Sequence, residues 1–260
     1  MEKRFQDKVI VITGGASGIG KQAALDFAAL GARVLIATRK NITAAEAVVK
    51  QIMQQGGTAA FVRCDVTNET DVANMVETAV KRYGRIDIAF NNAGIGADGV
   101  TMERVPIADL TEQDWDLVSN TNLKGLFFCM KHELLQMRRQ GSGCIVTTAS
   151  SAGIKPIANF GAYGPSKAGA IMLTKMVALE NRGTGIRANV ICPGPTLGTG
   201  LADRTFGAYD PAQPRPKAEG TNVDMGYVTD ISAALQWLCS EECHHINGNV
   251  ITVDGGLDIL

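Results

Sequence analysis

From one end to the other, the chain alternates short β-branched apolar runs with amphipathic helical stretches, and this rhythm limits the fold more than any single residue does. Residues 9–12 form a continuous apolar run closed by glycines, the pattern of a strand buried on both faces. Across 17–30, Ile19, Ala23, Phe27 and Leu30 recur at helical spacing until Gly31 stops them. The same reading predicts further strands at 33–37, 59–63, 86–90, 144–148, 186–191 and 249–253. Helices are predicted near 44–54, 69–83, 114–139, 162–181 and 231–239. Such alternation predicts an α/β, doubly wound fold, with a seven-stranded parallel sheet covered by helices on both faces. Ligands of such sheets sit at the carboxyl ends of the strands.

Composition narrows the class. The 260 residues suit a single domain, and 45% hydrophobic with 20% charged residues excludes a disordered or fibrous chain. Lys and Arg total 25 against 26 Asp and Glu, so no global field draws nucleic acid or an anionic membrane. Six scattered cysteines in apolar segments predict reduced, buried thiols and a cytoplasmic location. The first apolar run is too short for a secretion signal, and no stretch reaches the ~18–20 apolar residues of a membrane span. Glycine is in excess: 29 residues, where average usage of about 7% predicts roughly 18. Some part of the fold needs backbone freedom or close backbone approach.

The first turn is one such place. Thr13-Gly14-Gly15-Ala16-Ser17-Gly18-Ile19-Gly20 joins strand to helix. Glycines at 14, 18 and 20 permit a tight turn, near approach of a pyrophosphate, and close packing of helix on strand. Phosphates would meet free N–H groups at a helix N-terminus around Ser17, Gly18 and Ile19.

The spacing Thr-Gly-x3-Gly-x-Gly resembles that of the short-chain dehydrogenase/reductase family, and further motifs follow in order. They are Asn91-Asn92-Ala93-Gly94, the helical Asn122, Ser150 thirteen residues before Tyr163, Tyr163-x3-Lys167, Pro193-Gly194 and Asp254-Gly255-Gly256. The resemblance spans nearly the whole chain. It implies a single Rossmann-fold domain over 1–260, with 1–95 mainly binding cofactor and 96–260 carrying catalysis. It also implies Asn122 as a relay positioning the lysine through water, Lys167 on the nicotinamide ribose, Asp65-Val66 beside the adenine, and a homo-oligomer, tetramer or dimer. Asp65 also reads as an ordinary helix N-cap. Asn92, Ala93, Gly94, Pro193, Gly194 and Thr196 complete the predicted cofactor contacts.

Tyr163 and Lys167 lie one helical turn apart, on one face. Tyrosine titrates near pH 10, and a nearby ammonium lowers that value. Tyr163 is therefore the predicted acid/base, Lys167 the group that tunes it, and Ser150 the hydroxyl steadying the substrate oxygen. An acid about twenty residues past the loop would select NAD(H). Thr38-Arg39 stands there instead, suited to a 2′-phosphate, so NADP(H) is the expected cofactor and NAD(H) the alternative.

Residues 197–227 show no clean period, and five of the eight prolines fall between Pro193 and Pro216, which predicts a substrate lid over about 195–227. Its Arg204, Arg215 and Lys217 face Asp203, Asp210, Glu219 and Asp224, favouring a small neutral substrate. Glycine occupies 198, where the family often has threonine; Thr196 and Thr199 are the nearest substitutes. The expected reaction interconverts a carbonyl and a secondary alcohol. A sugar or steroid dehydrogenase, a 3-oxoacyl-thioester reductase and a nucleotide-sensing regulator are the alternatives. Cys239-x3-Cys243-His244-His245 reads as a loop at a helix end, with no metal expected.

Overall fold

A computed structural model of the protein describes residues 3–96, 103–200, 202–203, 210 and 213–259. Arg204 and part of the expected lid lie outside the described residues.

The seven expected strands form one sheet: β1 (Val9–Thr13), β2 (Arg33–Thr38), β3 (Thr58–Arg63), β4 (Ile88–Asn91), β5 (Gly143–Thr148), β6 (Ile186–Pro193) and, last in the chain, β9 (Val250–Val253). Their order is β3-β2-β1-β4-β5-β6-β9, and every pairing is parallel. Alternation along β1 shows why both faces are apolar. Ile10 and Ile12 enter one core, with Phe27 of α1 (Gly18–Ala29) and Ile52 of α2 (Ile42–Gln54). Val11 enters the other, with Met75 of α3 (Glu69–Tyr83), Met130 of α5 (Gly125–Gln140) and Val177 of α6 (Tyr163–Glu180). Chain direction across the sheet reverses between β1 and β4, which opens a crevice at their carboxyl ends.

Several boundaries differ from expectation. The helix expected over 114–139 is two helices, α4 (Glu112–Ser119) and α5, joined by a π-helical turn at Asn120–Lys124. Within it the Thr121 hydroxyl donates back to the Leu117 carbonyl (2.8 Å), a bond that bends helices. Strand β4 starts at Ile88 rather than 86, because the Ile86 N–H goes to Gln140 Oε1 (2.9 Å). The last helix, α7 (Val228–Cys239), starts three residues early, the Asp230 carboxylate accepting the Tyr227 N–H (2.8 Å) in a capping box.

The lid segment is not structureless where described. β7 (Thr196–Leu197) pairs in parallel with β8 (Gly226–Tyr227), and Leu197, Ala202, Ala218, Met225 and Tyr227 form their own small core. Two-residue strands are too short to show a period. Among the described residues no helix is long and apolar enough to cross a membrane. The six cysteines are free and buried.

Candidate active site

The first turn is built around glycine. Gly14 and Gly18 sit at φ +67° and +53°, and a β-carbon on Gly20 would stand 2.4 Å from the Gly14 carbonyl oxygen. The turn is then pinned to the neighbouring strands. Thr13 Oγ1 accepts the N–H groups of both Asn92 and Ala93 (3.0 Å each), and Asn92 Nδ2 donates to the Thr13 carbonyl (3.2 Å). From β5, Thr148 Oγ1 donates to Asn92 Oδ1 (3.2 Å). Ser17 occupies the N-cap of α1 without a side-chain capping bond, which leaves the first turn's N–H groups for another acceptor.

A cavity of about 560 Å³ opens above these strand ends. Gly14, Ser17, Gly18 and Ile19 line one end, Asn92, Ala93 and Gly94 the middle, and Ser150, Tyr163, Lys167, Pro193, Gly194 and Thr196 the other. The structure therefore brings together residues that are 180 positions apart in the chain. Gly20, Thr38, Arg39, Asp65, Val66 and Asn122 do not line it. Arg39 lines a separate recess with Thr67, Asn120, Thr121 and Lys124, and its guanidinium pairs with Asp65 at 3.6 Å. Asp65 is not the cap of α3: Asn68 accepts the N–H groups of Thr70 and Asp71 there, while Asp65 accepts from Thr67. Its carboxyl lies below the usual range, the Thr67 bonds and Arg39 outweighing burial.

The Ser150 hydroxyl accepts the Ala152 N–H (3.2 Å) and lines the same cavity as Tyr163. Its neighbour Ser151 is buried. Lys167 Nζ donates to the Thr148 carbonyl (2.9 Å) and lies 5.6 Å from the Tyr163 ring centre. Contrary to expectation, the tyrosine is shifted upward: burial of its hydroxyl raises it most, the neighbouring Ser150 hydroxyl offsets this in part, and Cys192 adds to the rise. Burial also lowers Lys167, to about 8. Asn122 is more committed than a relay requires. Its Oδ1 accepts the Ile95 N–H (2.9 Å), and its Nδ2 donates to the Ile95 carbonyl (2.9 Å) and Ser166 Oγ (3.1 Å). The π-helical turn presents it inward to tie the segment after Gly94 to α6.

The apolar end of the cavity was not legible as a motif. Ile95, Ile157, Phe160 and Leu257 supply apolar wall, and Arg104 lies 4.9 Å from the Phe160 ring, whose edge meets Tyr163 at 5.8 Å. Thr13 and Thr148, which hold the strand ends, were equally unannounced. Among the described residues no group of three or more His, Cys, Asp or Glu side chains is placed to hold a metal ion.

A doubly wound parallel sheet with a glycine turn at its switch point, and a tyrosine–lysine pair across the cleft, defines the class of dinucleotide-dependent α/β oxidoreductases. The chain belongs to the short-chain dehydrogenase family, whose model matches residues 8–209. It is similar to levodione reductase of Leifsonia aquatica (35% identity over 97% of this chain and 95% of that one). The crystal structure of levodione reductase superposes with a TM-score of 0.88 at 34% identity, covering 98% and 99% of the two chains. A 3-oxoacyl-acyl-carrier-protein reductase of Staphylococcus aureus is 33% identical, over 96% of this chain and 98% of that one. The protein is thus an oxidoreductase of the carbonyl/alcohol type that uses NAD(P).

Proposed function

We propose that the protein is an NADP(H)-dependent reductase of small, neutral, largely apolar carbonyl compounds, running the reverse oxidation of the secondary alcohol on the same residues. The observation that carries this reading is the convergence of Ser150, Tyr163 and Lys167 on one cavity, with the Lys167 ammonium 5.6 Å from the Tyr163 ring centre.

The residues present fit a dinucleotide: the glycine turn opens onto the cavity through Gly14, Ser17, Gly18 and Ile19, and the open N-terminus of α1 suits phosphate. Gly14, Ser17, Gly18, Ile19 and Gly20 would hold the pyrophosphate, and Asn92, Ala93, Gly94, Pro193, Gly194 and Thr196 the nicotinamide half. Bound there, the cofactor supplies the hydride. Arg39, with Thr38 beside it, would grip the 2′-phosphate, and no carboxylate at the end of β2 opposes it. Asp65, already paired with Arg39, and Val66 would border the adenine. Residues 1–95 then form mainly the cofactor half and 96–260 the catalytic half, with Pro195, Thr196, Thr199 and Glu219 bordering the substrate.

In reduction, Tyr163 donates its proton to the carbonyl oxygen as that oxygen gains charge. Ser150 donates a hydrogen bond to the same oxygen. Lys167 stabilises the resulting phenolate electrostatically and is held for this by Thr148, while Asn122 fixes Ile95 and thereby the Gly94 aperture. The apolar wall from Ile95, Ile157, Phe160 and Leu257 selects the substrate class. Exposed Met172, Met176 and Leu179 on α6, with Phe127 and Leu135 on α5, are the faces on which a homo-oligomer would assemble. Steady-state rates over ketones, sugars and acyl thioesters, with NADPH and NADH, test the reading. Small apolar ketones with NADPH should give the highest kcat/KM; a preference for thioesters or for NADH overturns it.

A further inference from the structure

Behind the strand ends that frame the site, Asn91 closes β4 and its side chain meets Glu133 of α5. Glu133 is 0% exposed and Asn91 5%. Asn91 Nδ2 donates to Glu133 Oε2 at 2.7 Å. The other two oxygens of the pair, Asn91 Oδ1 and Glu133 Oε1, are buried and have no hydrogen-bond partner. With an ionised carboxylate both are acceptors, and neither can serve the other. Two orphaned acceptors in one buried pair is a costly arrangement that native interiors avoid. A single proton on Oε1 satisfies both at once, since it can be donated to Asn91 Oδ1 and closes an acid–amide ring with two hydrogen bonds.

The surroundings favour the same state. On α5 the neighbouring titratable group is Cys129, and just past β3 comes Cys64; burial pushes both thiols upward, helped at Cys64 by Asp71 and Asp65 ahead of Glu133, and at Cys129 by Glu133. From α3 come Val72, Met75 and Val76, all apolar. Thr147 of β5 and Thr174 of α6 bond each other. Lys131 and His132, next to Glu133 in sequence, are turned to Glu69 at the surface. Only burial and the Asn91 bond act on the carboxyl, and together they place it at about 7.

The pair also has a path to the chemistry. Asn91 walls a small cavity of about 10 Å³, room for roughly one water, that it shares with Thr13, Asn122, Thr147 and Lys167. The next three residues, Asn92, Ala93 and Gly94, line the active-site cavity. We propose that Glu133 is carried as a neutral carboxylic acid in a closed ring with Asn91, and that this ring positions the end of β4 and the wall facing Lys167. Glu133 is thus a positioning residue, acting through Asn91. Ionisation breaks the ring and sets a second buried charge behind the lysine.

The first test is independent of turnover and of the functional reading above. Infrared spectra of wild-type protein labelled with ¹³C-carboxyl glutamate, recorded at pH 6, should show a protonated-acid carbonyl band, because surface glutamates are ionised there. The band should fade as pH rises through about 7, and be missing in Glu133→Gln. The variant keeps both ring bonds through its amide, so its melting temperature should gain on wild type between pH 5 and pH 8. The sign follows from linkage: a folded value above the ordinary 4.5 makes the wild type lose stability as pH rises towards 7. The last arm rests on the proposed function. Wild-type kcat/KM should fall roughly three- to ten-fold from pH 6 to pH 8, while Glu133→Gln stays within about two-fold. No protonated band at pH 6 overturns the proposal outright, whatever the variant does. A band with parallel activity profiles overturns the positioning role alone.

Discussion

Lys167 stands one helical turn from Tyr163, its ammonium 5.6 Å from the ring centre and hydrogen-bonded to the Thr148 carbonyl at 2.9 Å. Burial moves the two groups in opposite directions, the phenol up and the ammonium down to about 8, so each is pressed towards its neutral form. For the tyrosine, that form is the one that donates a proton.

The lysine's displacement gives a stability signature. Unfolded lysine titrates near 10.5 and folded Lys167 near 8, so the unfolded chain binds more protons between those values. Stability contributed by this residue therefore rises with pH from about 8 to 10.5, and the penalty is complete below 8. Lys167→Met should be more stable than wild type at pH 7, by up to roughly 3 kcal/mol, and lose the advantage by about pH 10.5. Denaturant titrations at both pH values check this; a constant difference would contradict the buried cation.

Gly20 is the tightest point of the first turn. Gly20→Ala places a methyl 2.4 Å from the Gly14 carbonyl oxygen, a backbone atom that cannot yield without reshaping the loop. We expect a folded protein with a lower Tm and dinucleotide binding weakened at least about ten-fold, as overpacking typically costs ~1–3 kcal/mol. Calorimetric titration with NADPH measures it, and unaltered affinity would separate this turn from the cofactor.

Arg39 tests the choice of cofactor. Hydrogen bonds to a charged group contribute about 1.5–3 kcal/mol, so Arg39→Ala should raise KM for NADPH by roughly ten-fold or more and leave KM for NADH nearly unchanged. Equal effects on both would assign Arg39 to its Asp65 ion pair alone.

The parallel sheet was legible because its central strands, β1 and β4 above all, are short apolar runs buried along their whole length, and such runs read the same in any context. The glycine turn and the Tyr163–Lys167 pair were legible because their geometry is local, within one turn or one helix. What escaped was set by contacts distant in sequence. The inward placement of Asn122 is fixed by its bonds to Ile95, 27 positions away, and the hold on Asn92 depends on Thr13, 79 positions away. The fate of Asp65 was likewise settled by neighbours: with Asn68 taking the cap, its carboxylate was left for Thr67 and Arg39. Tyr163 was misjudged because its charge partner is visible in sequence, whereas the burial that outweighs it is not. Strands β7 and β8 were too short to carry a period at all.

The central claim is that Tyr163 transfers the proton. Its most direct test is Tyr163→Phe, assayed by nicotinamide absorbance with a ketone that the wild type reduces, alongside NADPH titration of the same sample. Removing a general acid typically loses 10²- to 10⁴-fold in rate. We predict that kcat falls by at least about 10²-fold while NADPH affinity stays within about two-fold, because the hydroxyl is lost but the ring against Phe160 is kept. A variant that turns over within about ten-fold of wild type, with cofactor binding intact, would contradict the account.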